Sequence, residues 1–161
     1  MNNHERIGQI RFALDINDAT MVSIFEAGGV TVTVPQVIDF LAKHADGQET
    51  LNNHDFESWL NGLITMQRDG KLDANGVRIP EQYNIVNDRD VNNVTLKKLK
   101  TALNIPSEEL LAAINEVRST PIKKTEFAAW LRSPGGKYQV MKDPLQRDFL
   151  KALVWLYRGI K

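Results

Sequence analysis

Cysteine is absent from this sequence. That one absence excludes disulfides, thiolate zinc sites and a cysteine nucleophile together. Long apolar runs are missing too. None approaches the roughly 20 consecutive apolar residues that span a bilayer, so no membrane partner is expected. The opening residues MNNHERIGQI hold neither an apolar core nor a small-residue cleavage site. They do not read as a secretory signal, which leaves the cytoplasm as the expected compartment. Net charge is zero, from 20 Lys and Arg against 20 Asp and Glu. The zero hides a division: residues 1–89 carry 7 basic and 13 acidic residues, and residues 90–161 carry 13 and 7. Such asymmetry suits two halves that face each other, or a basic half that meets nucleic acid or an acidic partner.

What is present is an ordinary globular composition, 42% apolar and 25% charged over 161 residues, enough to bury a core. The chain also starts twice. The stretch NNVTLKKLKTALNIPSEELL from Asn92 has the shape of NHERIGQIRFALDINDATMV from Asn3. Ile7, Ile10, Ala13, Leu14 and Ile16 fall on Leu96, Leu99, Ala102, Leu103 and Ile105 at a spacing of 89. After a one-residue slip to 90, Phe40-Leu41 falls on Trp130-Leu131, Trp59-Leu60 on Phe149-Leu150, and Leu63-Ile64 on Leu153-Val154. A register held over separate segments is the signature of an internal duplication.

The periodicity within each copy is helical. The first helix carries Ile7, Ile10, Leu14 or Leu96, Leu99, Leu103, with Asn3 or Asn92/Asn93 placed to cap it. The second carries Met21, Val22, Phe25 or Leu110, Leu111, Ile114. The third starts near Pro35 or Thr125 and buries Phe40-Leu41 or Trp130-Leu131. The fourth and longest carries Phe56, Trp59, Leu60, Leu63 or Phe149, Leu150, Leu153, Tyr157. The alternating segments GGVTVTV and RSTPI read as loops. The expected architecture is therefore all-α: two homologous four-helix lobes, residues 1–70 and 92–161, packed together and joined by a linker at 71–91. The linker's IPEQYNIV portion has enough apolar residues to lie along a lobe.

The pieces ESWLNGLITMQRDG (57–70) and NNVTLKKLKTAL (92–103) resemble the YehS-like family, small bacterial proteins built from a tandem domain of unknown function. The likeness runs over essentially the whole chain, in duplication and in spacing. It implies an all-helical twin domain of a bacterial cytoplasm. It brings no activity, cofactor or site residue.

Candidate chemistry is sparse. His44 and His54 bracket a polar loop with Asp46 and Asp55, a set of the residue types that bind metal, but at no helical ligand spacing. The second copy's loop, SPGGKYQVMKDP, keeps none of those groups, so a solvated connection is the better reading. His4 is expected to be exposed. DGKLDANG looks like a calcium loop, yet Lys71 and Gln82 would fall where carboxylates are needed. Gly28-Gly29 reads as a helix C-cap, and Gly62 as a close helix crossing. Lys97, Lys98 and Lys100 lie off the apolar stripe of their helix and are expected in solvent; with Lys123, Lys124, Arg132 and Lys137 they compose a basic face. Trp155 falls opposite Phe149, Leu153, Tyr157 and Ile160 on the last helix, where its twin position holds Thr65, and is read as a docking residue or a surface Trp.

The expectation is thus a non-enzymatic binding module with no catalytic residue, metal or cofactor. It would make protein–protein contacts with an unknown partner, or a homo-oligomer through the Trp155 face. The alternative is nucleic-acid binding through Lys97, Lys98 and Lys100 of the basic second repeat.

Overall fold

The computed structural model describes residues 1–161. Eight α-helices follow in order: α1 (Asn3–Leu14), α2 (Asp18–Ala27), α3 (Val34–Leu41), α4 (Asn53–Gln67), α5 (Val91–Leu103), α6 (Ser107–Glu116), α7 (Lys124–Trp130) and α8 (Asp143–Arg158), with a 3-10 turn at Asp88–Asp90. The chain is all-α and duplicated, α1–α4 answering α5–α8. No helix is long and apolar enough to cross a membrane. The segments before α3 and α7 are loops, and the only pairing of extended backbone is an isolated antiparallel bridge between Leu72 and Arg78.

Local signals set the ends of the helices. Asn17 caps α2 through the Thr20 N–H at 2.8 Å, and Thr33 with Gln36 forms a capping box on α3. α1 and α5 both stop on a left-handed residue, Asp15 at φ 53° and Asn104 at φ 52°, residue types that tolerate this region. Gly29, just past the end of α2, has φ 90°.

The two repeats do not form two separate cores. Thirty-two buried apolar residues make one cluster drawn from both. The strongest helix pairings include α1 with α8 and α4 with α5, each crossing from one repeat to the other. Exchanging the repeats turns one pairing into the other, as a two-fold relation requires. The charge division is spent at the same seam. Arg147 meets Glu5 at 3.6 Å, Arg158 meets Asp15 at 3.6 Å, and Lys98 meets Glu57 at 2.9 Å, each a basic group of the second repeat on an acidic group of the first.

Asn3, Asn92 and Asn93 are not caps. Asn2 caps α1, accepting from Glu5 N at 3.0 Å, and no side chain caps α5. Asn3 and Asn92 are buried and reach sideways. Asn3 Nδ2 donates to Leu51 O (3.2 Å) and Asn53 Oδ1 (2.9 Å); Asn92 Nδ2 donates to the matching atoms Met141 O (2.9 Å) and Asp143 Oδ1 (2.8 Å). Arg6 lies between them, donating from Nη1 to Asn3 Oδ1 (2.9 Å) and from Nη2 to Asn92 Oδ1 (2.7 Å). Burial lowers its pKa to about 10, against the pull of Asp143.

His4 is also buried, contrary to expectation. Its Nδ1 donates to Phe40 O at 2.8 Å, and its Nε2 accepts from Thr50 N (3.0 Å) and Leu51 N (3.3 Å). Asn93 makes the same clasp in the second repeat, donating to Trp130 O (3.1 Å) and accepting from Met141 N (2.8 Å). Two different side chains satisfy the same buried backbone groups, which is why matching by residue type alone misses the equivalence.

α2 and α4 cross where Gly28 meets Gly62. A Cβ on Gly62 would stand 1.8 Å from Ile24 O, and one on Gly28 1.8 Å from Ser58 O. In the second repeat Val117, packed against the core, and the buried Ala152 occupy these places. Gly62→Ala is expected to cost about 3 kcal/mol or more, because the obstacle is backbone, whereas Ala152→Gly costs about 1–2 kcal/mol. Urea unfolding of both variants decides this; a loss under about 1 kcal/mol for Gly62→Ala would contradict the crossing.

Candidate functional site

The connection between the repeats carries most of what is unusual. Beyond α4 the chain folds back in a short ribbon. Ile79 N donates to Lys71 O and Asp73 N to Val77 O, both at 2.8 Å. The DGKLDANG stretch is the turn of this ribbon: Asp73 Oδ1 accepts from Asn75 N (2.8 Å) and Val77 N (3.0 Å), and Gly76 takes φ 77°. The chain then runs as a strap over the seam between α4 and α5.

Buried polar contacts fasten the strap, and Ile85 packs against the core beside them. Glu57, 1% exposed on α4, accepts from Asn84 N (2.6 Å) and Ile85 N (2.9 Å). The Lys98 ammonium, 8% exposed on α5, lies 2.9 Å from the same carboxylate and donates to Asn61 Oδ1 and Gln82 O, both at 2.5 Å. Burial draws the Lys98 pKa below that of a free lysine, and Glu57 opposes it. Tyr83 stacks on His54, rings 4.5 Å apart, and shares a 2.6 Å hydrogen bond with Ser58. One buried ion pair therefore joins α4, the strap and α5.

Between the strap, the start of α5 and the α7–α8 loop lies a cleft of about 340 Å³. Tyr83, Asn84, Lys97, Ser133, Pro134 and Tyr138 contribute to its wall. At one side the Tyr138 hydroxyl donates to Asp90 Oδ1 at 2.7 Å; burial and this carboxylate both hold the phenol above its ordinary pKa.

The three lysines separate. Lys98 points inward, not into solvent, because α5 is buried on two sides, against α8 and against α4 with its strap. Lys97 is half-buried in the cleft wall and donates to Arg132 O at 2.6 Å. Lys100, also half-buried, makes no ion pair. Trp155 is half-buried against the edge of the core, and the Lys161 ammonium lies 5.2 Å above its ring. Tyr157 and Ile160, expected inside, are exposed. α8 packs on both α1 and α6, so its buried arc takes in Ala152 and Val154, and Gly159 at φ 68° ends the helix before Ile160. His44 stacks on His4 at 3.6 Å and His54 on Tyr83, so the two loop histidines have separate partners.

The sequence profile of the family described as "Protein of unknown function (DUF1456)" matches residues 3–69 and again residues 92–159. The chain belongs to that family. It is similar to the "Uncharacterized protein YehS" of Escherichia coli (strain K12), 29% identical over 155 residues that take in 95% of this chain and 94% of that protein. No solved structure matches it. Both family segments end short of the strap, so Tyr83 and Asp90 lie between the repeats of this family while Glu57, Lys97 and Lys98 lie within them.

Glu57, Asn61, Tyr83, Asp90 and Tyr138 were not legible as site residues. Glu57 did leave a trace: it precedes Leu60 and Ile64 by three and seven positions, so with Asn61 it falls on the stripe that carries those apolar residues. Lys98→Met leaves the Glu57 carboxylate buried without its cation and is expected to cost about 3 kcal/mol, with part recovered in Glu57→Gln/Lys98→Met. The Asn84 and Ile85 amides would then exchange faster. Since the folded-state Lys98 pKa lies below 10.5, the unfolded chain binds more protons as pH approaches that value. Wild-type stability therefore rises relative to Lys98→Met in that window. Unchanged stability and exchange in Lys98→Met would refute this account of the strap.

Proposed function

We propose that this protein is a non-catalytic interaction module of the cytoplasm that makes protein–protein contacts, self-association included, through its linker. The observation that supports this is where apolar surface is left uncovered. Of twelve exposed large apolar residues, five come from the linker: Leu72, Val77, Ile79, Tyr83 and Val86. Exposed apolar side chains on a ribbon with open edges favour association. The ribbon is held to α4 by Arg78, which donates to Thr65 Oγ1 and Arg68 O at 3.4 Å, so the surface is presented on a fixed base.

The nucleic-acid reading has less support. Lys98, Arg147 and Arg158 of the basic repeat are paired across the seam, and Lys98 is inaccessible. Trp155, packed and overlain by Lys161, gives less support to docking than the ribbon does.

Sedimentation over a range of concentrations, for the wild type and for Leu72→Asp/Val77→Asp/Ile79→Asp, tests the proposal. The wild type is expected to gain mass with concentration and the variant to associate at least about tenfold more weakly, with unchanged helical content. Identical behaviour of the two proteins would overturn it. A salt-sensitive complex with DNA or RNA, formed equally by both, would favour the nucleic-acid alternative.

A further inference from the structure

Lys97 stands out among the half-buried cations. Its ammonium takes part in no ion pair, and the one group it meets is the carbonyl of Arg132. Burial pulls its pKa down, while the charge of Asp90 pulls it up and helps keep the ammonium form. Asp90 does not reach it: that carboxylate is buried, bonded to the Tyr138 hydroxyl, with the Arg89 Nε at 4.0 Å. A partly desolvated cation facing a cleft is favourable ground for a carboxylate.

The opposite wall supplies main-chain groups. The strap residues Tyr83, Asn84 and Val86 line the cleft. Apart from the N–H groups of Asn84 and Ile85, which go to Glu57, the N–H and C=O groups of residues 83–86 have no partner within the protein. Because the Asn84 and Ile85 N–H groups both turn to Glu57, the carbonyls of the same peptide planes, those of Tyr83 and Asn84, point away from it and are open to the N–H groups of a second chain. Tyr83, Val86, Val94 and Pro134 give the cleft apolar patches. Arg132 and Lys137, with Glu126, line a separate groove of about 400 Å³ beside α7. At the matching place in the first repeat Gly8 stands for Lys97, in a cleft of about 550 Å³ floored by His4 and His44. Lys43 and Glu5 also line that cleft, so a lysine at this position of the helix, rather than a cation as such, sets the second repeat apart.

We infer that the cleft between the strap and the second repeat binds an extended acidic peptide of a partner protein, its main chain along residues 83–86 and a carboxylate on Lys97. This rests on the protein-interaction reading and names the partner's chemistry. The carboxylate can come from a side chain or from a chain terminus. A nucleic-acid phosphate is a different partner, and it is the less favoured one because the open strap carbonyls accept from peptide N–H groups, which a phosphate lacks.

The test is fluorescence anisotropy at low salt with labelled five-residue peptides of alternating valine and glutamate, the same with glutamine in place of glutamate, and the glutamine peptide with a free C-terminal carboxylate. A single-stranded oligonucleotide of equal charge serves as competitor. Wild type is expected to prefer one or both carboxylate peptides to the blocked glutamine peptide by about tenfold, the size of a partly desolvated ion pair. Which peptide is preferred identifies the source of the carboxylate. Lys97→Met abolishes the preference, Lys97→Arg keeps most of it, and Lys123→Met leaves it unchanged. No preference in the wild type, a preference that survives Lys97→Met, or displacement of the peptide by equimolar oligonucleotide would overturn the inference. Ribbon-dependent association that persists beside a negative peptide result retires the cleft alone; loss of that association retires the broader reading.

Discussion

Everything in this molecule depends on a reciprocal exchange of helices: α1 of the first repeat packs on α8 of the second, and α5 of the second packs on α4 of the first. A four-helix unit of some 70 residues buries too little apolar surface to be comfortable alone. Pairing each unit's first helix with the other's last lets both close around one cluster of buried side chains. The polar centre follows from the same symmetry. Asn3 and Asn92 occupy equivalent positions, and a single guanidinium, that of Arg6, joins them at 2.9 and 2.7 Å. Thr95 stands where Arg6 would recur and turns its hydroxyl to Val91 O instead. One Arg suffices for two asparagines, so this position is where the copies have diverged.

The opposite charges of the halves have a physical destination. Glu5, Asp15 and Glu57 find Arg147, Arg158 and Lys98 across the seam. The exposed pairs contribute little each, but the Glu57–Lys98 pair is out of solvent and fixes the strap as well as the helices. What remains for recognition is the surface the repeats do not consume: the ribbon, the outer edge of the strap, and Lys97 beside it.

Much of this was readable beforehand and part was not, for reasons that can be named. The helices and the duplication were visible because apolar spacing reports burial directly, as with Ile7 and Ile10 against Leu96 and Leu99. The Gly62 crossing was visible because a glycine within a helical pattern needs a packing reason. Lys98 was misjudged because its face looks outward only if α5 is taken as an isolated helix; α4 and the strap cover it. His4 was misjudged because its twin is Asn93, and imidazole and carboxamide share a clasp without sharing a residue type. Tyr157 and Ile160 failed at a helix end, where angular bookkeeping stops with Gly159. The strap was invisible as a site because its fastening is backbone to carboxylate, and backbone leaves no mark in residue identity.

The central claim is that the repeats share one core, and the fluorescence of tryptophans placed in each repeat tests it most directly. Trp130→Phe/Trp155→Phe leaves Trp59 to report on the first repeat, and Trp59→Phe/Trp155→Phe leaves Trp130 to report on the second. Urea titration of the two proteins, each normalised to its own circular-dichroism midpoint, is predicted to give fluorescence and helix-loss curves that coincide. A fluorescence transition displaced from helix loss in either protein, with one repeat melting while the other stays folded, would contradict the account.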